Sequence, residues 1–213
     1  NYYSITALLA RVYLYAGNLD MAYDEAIKII NIQKTKRFFN FTDEYYITDK
    51  SNIKLYDDII FTLYTTEVTD WDLEISYSSE DQPEYSQHYL CWHAEKVKDI
   101  FGNEGSNDYR LLYQFEKKYL GYRTLKYHKQ EEKSSGGRWG NPMIPMIRMS
   151  EVYYIAAEAI CSKNIVEAQG YIEKVKDGRG VSVDLSSLDK DGLVNMIVND
   201  AQRELSGEEI GRA

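Results

Sequence analysis

The chain has 213 residues, 44% of them hydrophobic and 28% charged, with a formal net charge of -9. It is long enough to bury a full core, and it is too acidic for affinity built on phosphate contacts, because its basic clusters are no larger than "KTKR" at 34–37. Nucleic acid is therefore excluded as a partner, and two widely separated cysteines, Cys91 and Cys161, exclude a disulfide framework or zinc ribbon and read as buried free thiols.

The sequence opens on "NYYSITALLARVYLYAGN" and closes on "GEEIGRA", both of which read as the interior of a domain. We therefore expect a portion of a longer polypeptide, with no secretion signal or membrane span within these residues. Residues 3–16 place Ile5, Leu8, Leu9, Val12, Tyr13 and Ala16 on one stripe at helical spacing, the expected inner face. Gly17 and Asn18 stop that helix, and a second follows with Leu19, Ala22, Ala26, Ile29 and Ile30 inward. Ala10 and Ala22 sit where small side chains let antiparallel helices approach closely, giving a helical hairpin over 3–32.

Periodicity is poor from 33 to 147, an irregular, aromatic-rich insertion. Within it, 57–67 reads as an extended segment, 92–101 as a short helix and "KSSGGRWGNP" at 133–142 as a loop. A second hairpin follows over 148–177. Val152, Ile155, Ala156, Ala159 and Ile160 form one stripe, and Ile165, Ala168, Ile172 and Val175 form the other. Ala156 and Ala168 repeat the spacing of Ala10 and Ala22. A terminal helix spans 190–206. Neither hairpin can bury its face alone, so they pack on each other or on further neighbours. The expected fold is mainly α, with tetratricopeptide-like hairpins carrying a long irregular insertion, all within one domain fragment over 1–213.

The regularly placed charges Arg148, Glu151 and Glu158 in "IPMIRMSEVYYIAAEA" first raise the question of a catalytic cluster. No nucleophile or histidine accompanies them, so ion pairing is the expectation. Ser150 is expected to cap the helix and Glu151 to meet its positive end, while Arg148 reaches Asp108 or Glu151. Asp108 and Arg110 in "NDYRL", read as alternating on extended backbone, receive the same structural role. His88, Cys91 and His93 match no metal-ligand spacing, and no second cluster completes a site. With 34 acidic residues, carboxylate pairs at glycosidase distances arise by chance, and nothing selects one. We expect no catalytic residue, no metal and no cofactor.

The 20 tyrosines and 3 tryptophans point elsewhere. Trp71 lies between Asp70 and Asp72, and Trp139 lies beside Arg138 and Asn141, each in a segment of low periodicity. An indole face meets the C–H face of a sugar, and flanking polar side chains meet its hydroxyl rim. Trp71, Asp72, Arg138, Trp139 and Asn141 are thus candidate ligand residues, whereas Trp92 reads as core in a short helix.

Several pieces in order resemble the SusD/RagB family of outer-surface nutrient-binding lipoproteins. They are "ALLARVYLYAGNLDMAYDEAIKII", "DIIFTL", "NDYRL", "LKY" at 125–127, "PMIRMSEVYYIAAEA", "YIEKVKDGRGV" with Lys176 in place of the usual arginine, and "NDAQREL" followed by "GEE". The resemblance implies a non-enzymatic protein on the outer face of a Bacteroidetes-type outer membrane, lipid-anchored in the full-length protein. It also implies that an oligosaccharide or polysaccharide is delivered to a SusC-like TonB-dependent transporter. The family's ligand residues follow no fixed motif, so the candidates above rest on their chemistry alone. The rival is a tetratricopeptide-like protein-interaction module whose aromatics are all structural.

Overall fold

The computed structural model describes residues 2–49, 52–64, 92–118, 121–126 and 143–206. It is mainly helical, with α1 (Tyr2–Tyr15), α2 (Leu19–Lys36), α3 (Glu44–Thr48), α4 (Ala94–Phe101), α5 (Tyr109–Gln114), α6 (Met149–Ile160), α7 (Ile165–Asp177) and α8 (Lys190–Glu204). Strands β1 (Ile59–Tyr64) and β4 (Met143–Arg148) form one antiparallel pair, and β2 (Phe115–Lys118) and β3 (Gly121–Thr124) form another.

Local chemistry sets the helix boundaries. Asn18, Asn164 and Asp189 each accept a backbone N–H of the first turn of α2, α7 and α8, satisfying donors that the helix itself leaves open. Gly17, at φ 74°, makes the tight reversal between α1 and α2.

The two hairpins share one core. α1 packs on α2, α2 on α6, and α6 on α7. Ala10, Ala22, Ala156 and Ala168 are all fully buried at these contacts, so the helix axes approach closely. Ile29, Ile30, Val152, Ile155, Ile172 and Val175 fill the layer between them, each worth about 1.5–3 kcal/mol of burial. Leu193 and Ile197 of α8 complete this core.

α1 departs from the expected stripe. Its buried residues are Thr6, Ala7, Ala10 and Leu14, whereas Ile5 is 60% exposed and Val12 50%, with Leu8 and Leu9 also at the surface. The small-residue face won because only alanines allow α1 to lie close against both α2 and α6. The bulky stripe is left facing outward.

The described part of 33–147 consists of short elements rather than structureless chain. The β1–β4 pair sets Ile59 opposite Arg148 and Tyr64 opposite Met143, with irregular register near Phe61. That pairing delivers the start of α6 to the side of the 3-10 turn Tyr56–Asp58. A satellite cluster of Val97, Ile100, Phe101 and Phe115 holds α4 against β2. Trp92 is not in a helix as expected: it makes a β-bridge with Tyr122 ahead of α4 and packs, half-buried, edge-on to Phe115. Gly121 permits this bridge, because a Cβ there would lie 2.2 Å from the Trp92 carbonyl oxygen.

Candidate functional site

α8 carries Asp200 and Glu204 on the same face as Ile197 and Ala201, so two carboxylates enter the core where a helix normally places apolar groups. Arg110 meets them. Fully buried, it donates to both oxygens of Asp108 at 2.9 and 2.8 Å, to Asp200 at 2.8 Å and to Glu204 at 3.1 Å. Asp108 also accepts the Arg110 backbone N–H, capping α5. The pair therefore stands at a helix start, not on the extended backbone that its alternation suggested.

Arg179 links Glu204 to Asp58, both of which it contacts directly. Arg148 donates to Asp58 at 2.9 Å. This replaces the expected partners Asp108 and Glu151, because the β1–β4 register sets Arg148 beside the turn that carries Asp58. Glu151 pairs instead with Arg11 of α1 through two bonds of 2.6 and 2.7 Å, clasping α1 to the start of α6. Ser150 does not cap α6; its hydroxyl donates to Glu204 at 3.0 Å. Lys176 bonds Glu104 at 2.7 Å and lies 3.3 Å from Asp200. Glu158 is half-buried on α6.

Burial pushes the Asp200 carboxyl up, but Arg110 and Lys176 outweigh it and hold the group well below the ordinary carboxylate range. Glu204 is likewise pushed up by burial and held well below its usual value, chiefly by Arg179. At Asp58 burial prevails over Arg179 and Arg148, and the carboxyl is raised. Chemically, the arrangement is a strut. Its central groups, Asp58, Arg110, Arg148, Arg179, Asp200 and Glu204, are buried, and Ser150 spends its proton on Glu204, whereas Glu104 at its edge keeps 26% of its side chain exposed.

Arg179, Asp58, Asp200 and Glu204 were not singled out in the sequence. A signal was present for two of them, since Asp200 and Glu204 occupy the stripe continued by Ile197 and Ala201. Trp71, Asp72, Arg138, Trp139 and Asn141 lie outside the described residues, as do His88 and Cys91. His93 is exposed just before α4, and Cys161 is a buried free thiol. Among the described residues, no group of three or more His, Cys, Asp or Glu could hold a metal ion, and no helix is long and apolar enough to cross a membrane.

The described surface does hold an aromatic groove of about 750 Å³, formed by the start of α1, the turn after α2 and the start of α3. Its rings are Tyr3, Phe38, Phe39, Phe41 and Tyr46, and its polar groups are Arg37, Asn40, Asp43 and Asp57. Two non-glycine residues of the turn, Arg37 and Phe39, adopt left-handed backbone at φ 56° and 59°, a conformation that persists only when the surroundings enforce it. The enforcement is visible. Gln33 donates to the Phe39 carbonyl at 2.8 Å and accepts from Tyr153 at 2.6 Å, tying the turn to α6. Phe41 stacks on Tyr153 at 5.7 Å, and the Arg179 guanidinium lies 5.0 Å from its ring centre.

Residues 36–210 match the model of the SusD family. Solved structures with a similar fold include a SusD-like carbohydrate binding protein from Bacteroides vulgatus ATCC 8482, at 19% identity and a TM-score of 0.68, covering 97% of this chain and 43% of that one. A SusD superfamily protein from Bacteroides thetaiotaomicron VPI-5482 is 23% identical with a TM-score of 0.66, covering 98% and 48%. A laminarin binding SusD-like protein is 15% identical with a TM-score of 0.58, covering 97% and 52%. The chain thus spans about half the length of these structures. No curated protein is similar to it in sequence.

Proposed function

The chain belongs to the SusD family, and from that premise we propose that it is part of a non-enzymatic cell-surface receptor that captures a glycan and passes it to a TonB-dependent outer-membrane transporter. The observation that carries this reading is the family match over 36–210. The relatives' printed descriptions, carbohydrate binding and laminarin binding, make neutral polysaccharide the first ligand class to test. In the proposed receptor the hairpins are the frame and meet the transporter, and the full-length protein is held at the outer face by a lipid anchor. Trp71, Asp72, Arg138, Trp139 and Asn141 of the insertion contact the sugar, indole to ring face and polar group to hydroxyl.

Calorimetric titration with laminarin, starch and mannan tests it, with saturable binding to at least one expected and a weaker complex in the W71A/W139A double variant. Binding unaltered in that variant removes the two tryptophans from the account. Release of reducing ends from a bound glycan refutes the non-enzymatic reading.

One observation favours the rival, a protein-interaction module. α1 exposes Ile5, Leu8, Leu9 and Val12 together, an apolar face of the kind that marks contact surfaces. Tryptophan emission separates the two readings, shifting on addition of the right sugar in the receptor and staying flat in the module.

A further inference from the structure

We propose that the groove between α1 and the α2–α3 turn is an additional carbohydrate subsite, taking a neutral oligosaccharide whose ring faces lie on Phe38 and Tyr46 and whose hydroxyls meet Asp43, Asp57 and Arg37. This rests on the receptor reading above but assigns it a place outside the insertion. The volume of about 750 Å³ falls within the ~300–1,000 Å³ of small-molecule sites.

The rings that an incoming ligand meets are open. Phe38 is 48% exposed and Tyr46 51%, although each is large enough to be buried in a chain free to hide it. Both have ring neighbours: Tyr46 meets Tyr45 edge-on at 5.3 Å, and Phe38 belongs to a cluster of three. Tyr3 meets Phe38 and Phe39 edge-on at 6.3 and 5.7 Å, and Phe38 meets Phe39 edge-on at 6.3 Å. A platform whose rings are already ordered binds with little further loss of freedom, and here the left-handed turn at Arg37 and Phe39 maintains that order.

The polar rim selects the ligand class. Asp57 accepts one bond from Asn52 at 2.9 Å, and Asp43 accepts one from the Tyr45 backbone N–H at 2.9 Å. Among the described residues, no further bond occupies the second carboxylate oxygen of either. Arg37 is exposed, and its guanidinium forms no ion pair among the described residues. Sugar hydroxyls both donate and accept, so one hydroxyl-rich ligand satisfies carboxylate and guanidinium together. Two carboxylates beside one cation, on a chain of net charge -9, disfavour phosphorylated, sulfated or uronic ligands.

The test is titration of the full chain with laminarihexaose, maltohexaose and mannohexaose, with hexagalacturonic acid and an unrelated aromatic-rich peptide as comparisons. F38A/Y46A and D43N/D57N are compared with W71A/W139A. The expected result is a Kd raised about tenfold or more by F38A/Y46A for a neutral hexasaccharide, equal to about 1.4 kcal/mol, with the far-UV circular dichroism spectrum of the folded chain retained and a smaller rise in D43N/D57N. Neutral-sugar binding that survives F38A/Y46A but fails in W71A/W139A overturns the subsite and leaves the receptor reading standing. Preference for the acidic hexasaccharide or the peptide, lost in F38A/Y46A, overturns the ligand class. Failure of every hexasaccharide to bind the unaltered chain overturns both.

Discussion

Replacing Arg110 by methionine isolates the energetic meaning of the buried strut. Methionine retains most of the side-chain volume and leaves the Asp108 cap on α5 in place, so the change removes charge and hydrogen bonds rather than packing. Arg110 is fully buried and supplies bonds to three carboxylates. Asp200 keeps Tyr154 at 2.7 Å and Lys176 at 3.3 Å, and Glu204 keeps Arg179. Asp108 loses both side-chain bonds at 0% exposure. Removing one partner of such a pair costs about 3–5 kcal/mol, against a total stability of about 5–15 kcal/mol. With a urea slope of about 2 kcal/mol/M, the unfolding midpoint should fall by roughly 1.5–2.5 M. Equilibrium urea unfolding, followed by far-UV circular dichroism, measures it without the screening that guanidinium adds. The R110M/D108N double variant should be less destabilised than the sum of the singles, since the buried anion goes with its partner. A midpoint shift under about 0.5 M at unchanged slope, the size of an exposed ion pair, refutes the strut.

Acid stability follows from the same groups. Asp200 and Glu204 are held below their ordinary values, so the stability they contribute is present above the unfolded carboxylate pKa and is lost as pH falls through and below about 4. Asp58, raised by burial, carries the opposite sign, but it opposes two depressed groups, and Tm should decline steeply below about pH 4; a Tm level down to pH 3 contradicts this. Gly180 has φ 78°, and a Cβ there would lie 2.5 Å from the Tyr109 ring. G180A should therefore cost at least about 2 kcal/mol from left-handed backbone and overlap together, read as a lower urea midpoint; a neutral result would mean that the Tyr109 ring moves freely. On α1, L8Q/V12Q should change stability by less than about 0.5 kcal/mol per site, whereas A10L, at a fully buried helix contact, should cost about 1–3 kcal/mol; equal effects would place the bulky stripe in the core after all.

Part of the site is legible in the sequence. Asp108, Arg110 and Arg148 are buried ion-pair residues, as a charged residue in an apolar segment must be if it is not to stand unpaired. Their partners were not legible, because Arg148 and Asp58 are 90 positions apart and nothing local specifies which carboxylate a β-pairing will deliver. The groove was missed for a similar reason. "RFFNF" scans as a short aromatic run, and only the anchoring of Gln33 on Tyr153 of α6 shows that its rings are fixed at the surface.

By itself the sequence determined that the chain is mainly helical, where α2, α6, α7 and α8 lie, and that Ala10, Ala22, Ala156 and Ala168 sit at close helix contacts. Each of these is written in spacings of a few residues, and a helix repeats on that scale. The tertiary structure decided which face of α1 is buried, which carboxylate each arginine meets and where an ordered aromatic surface forms. Those outcomes depend on how closely distant segments can approach, and the approach is set by side-chain volume and by charges seeking partners across the core.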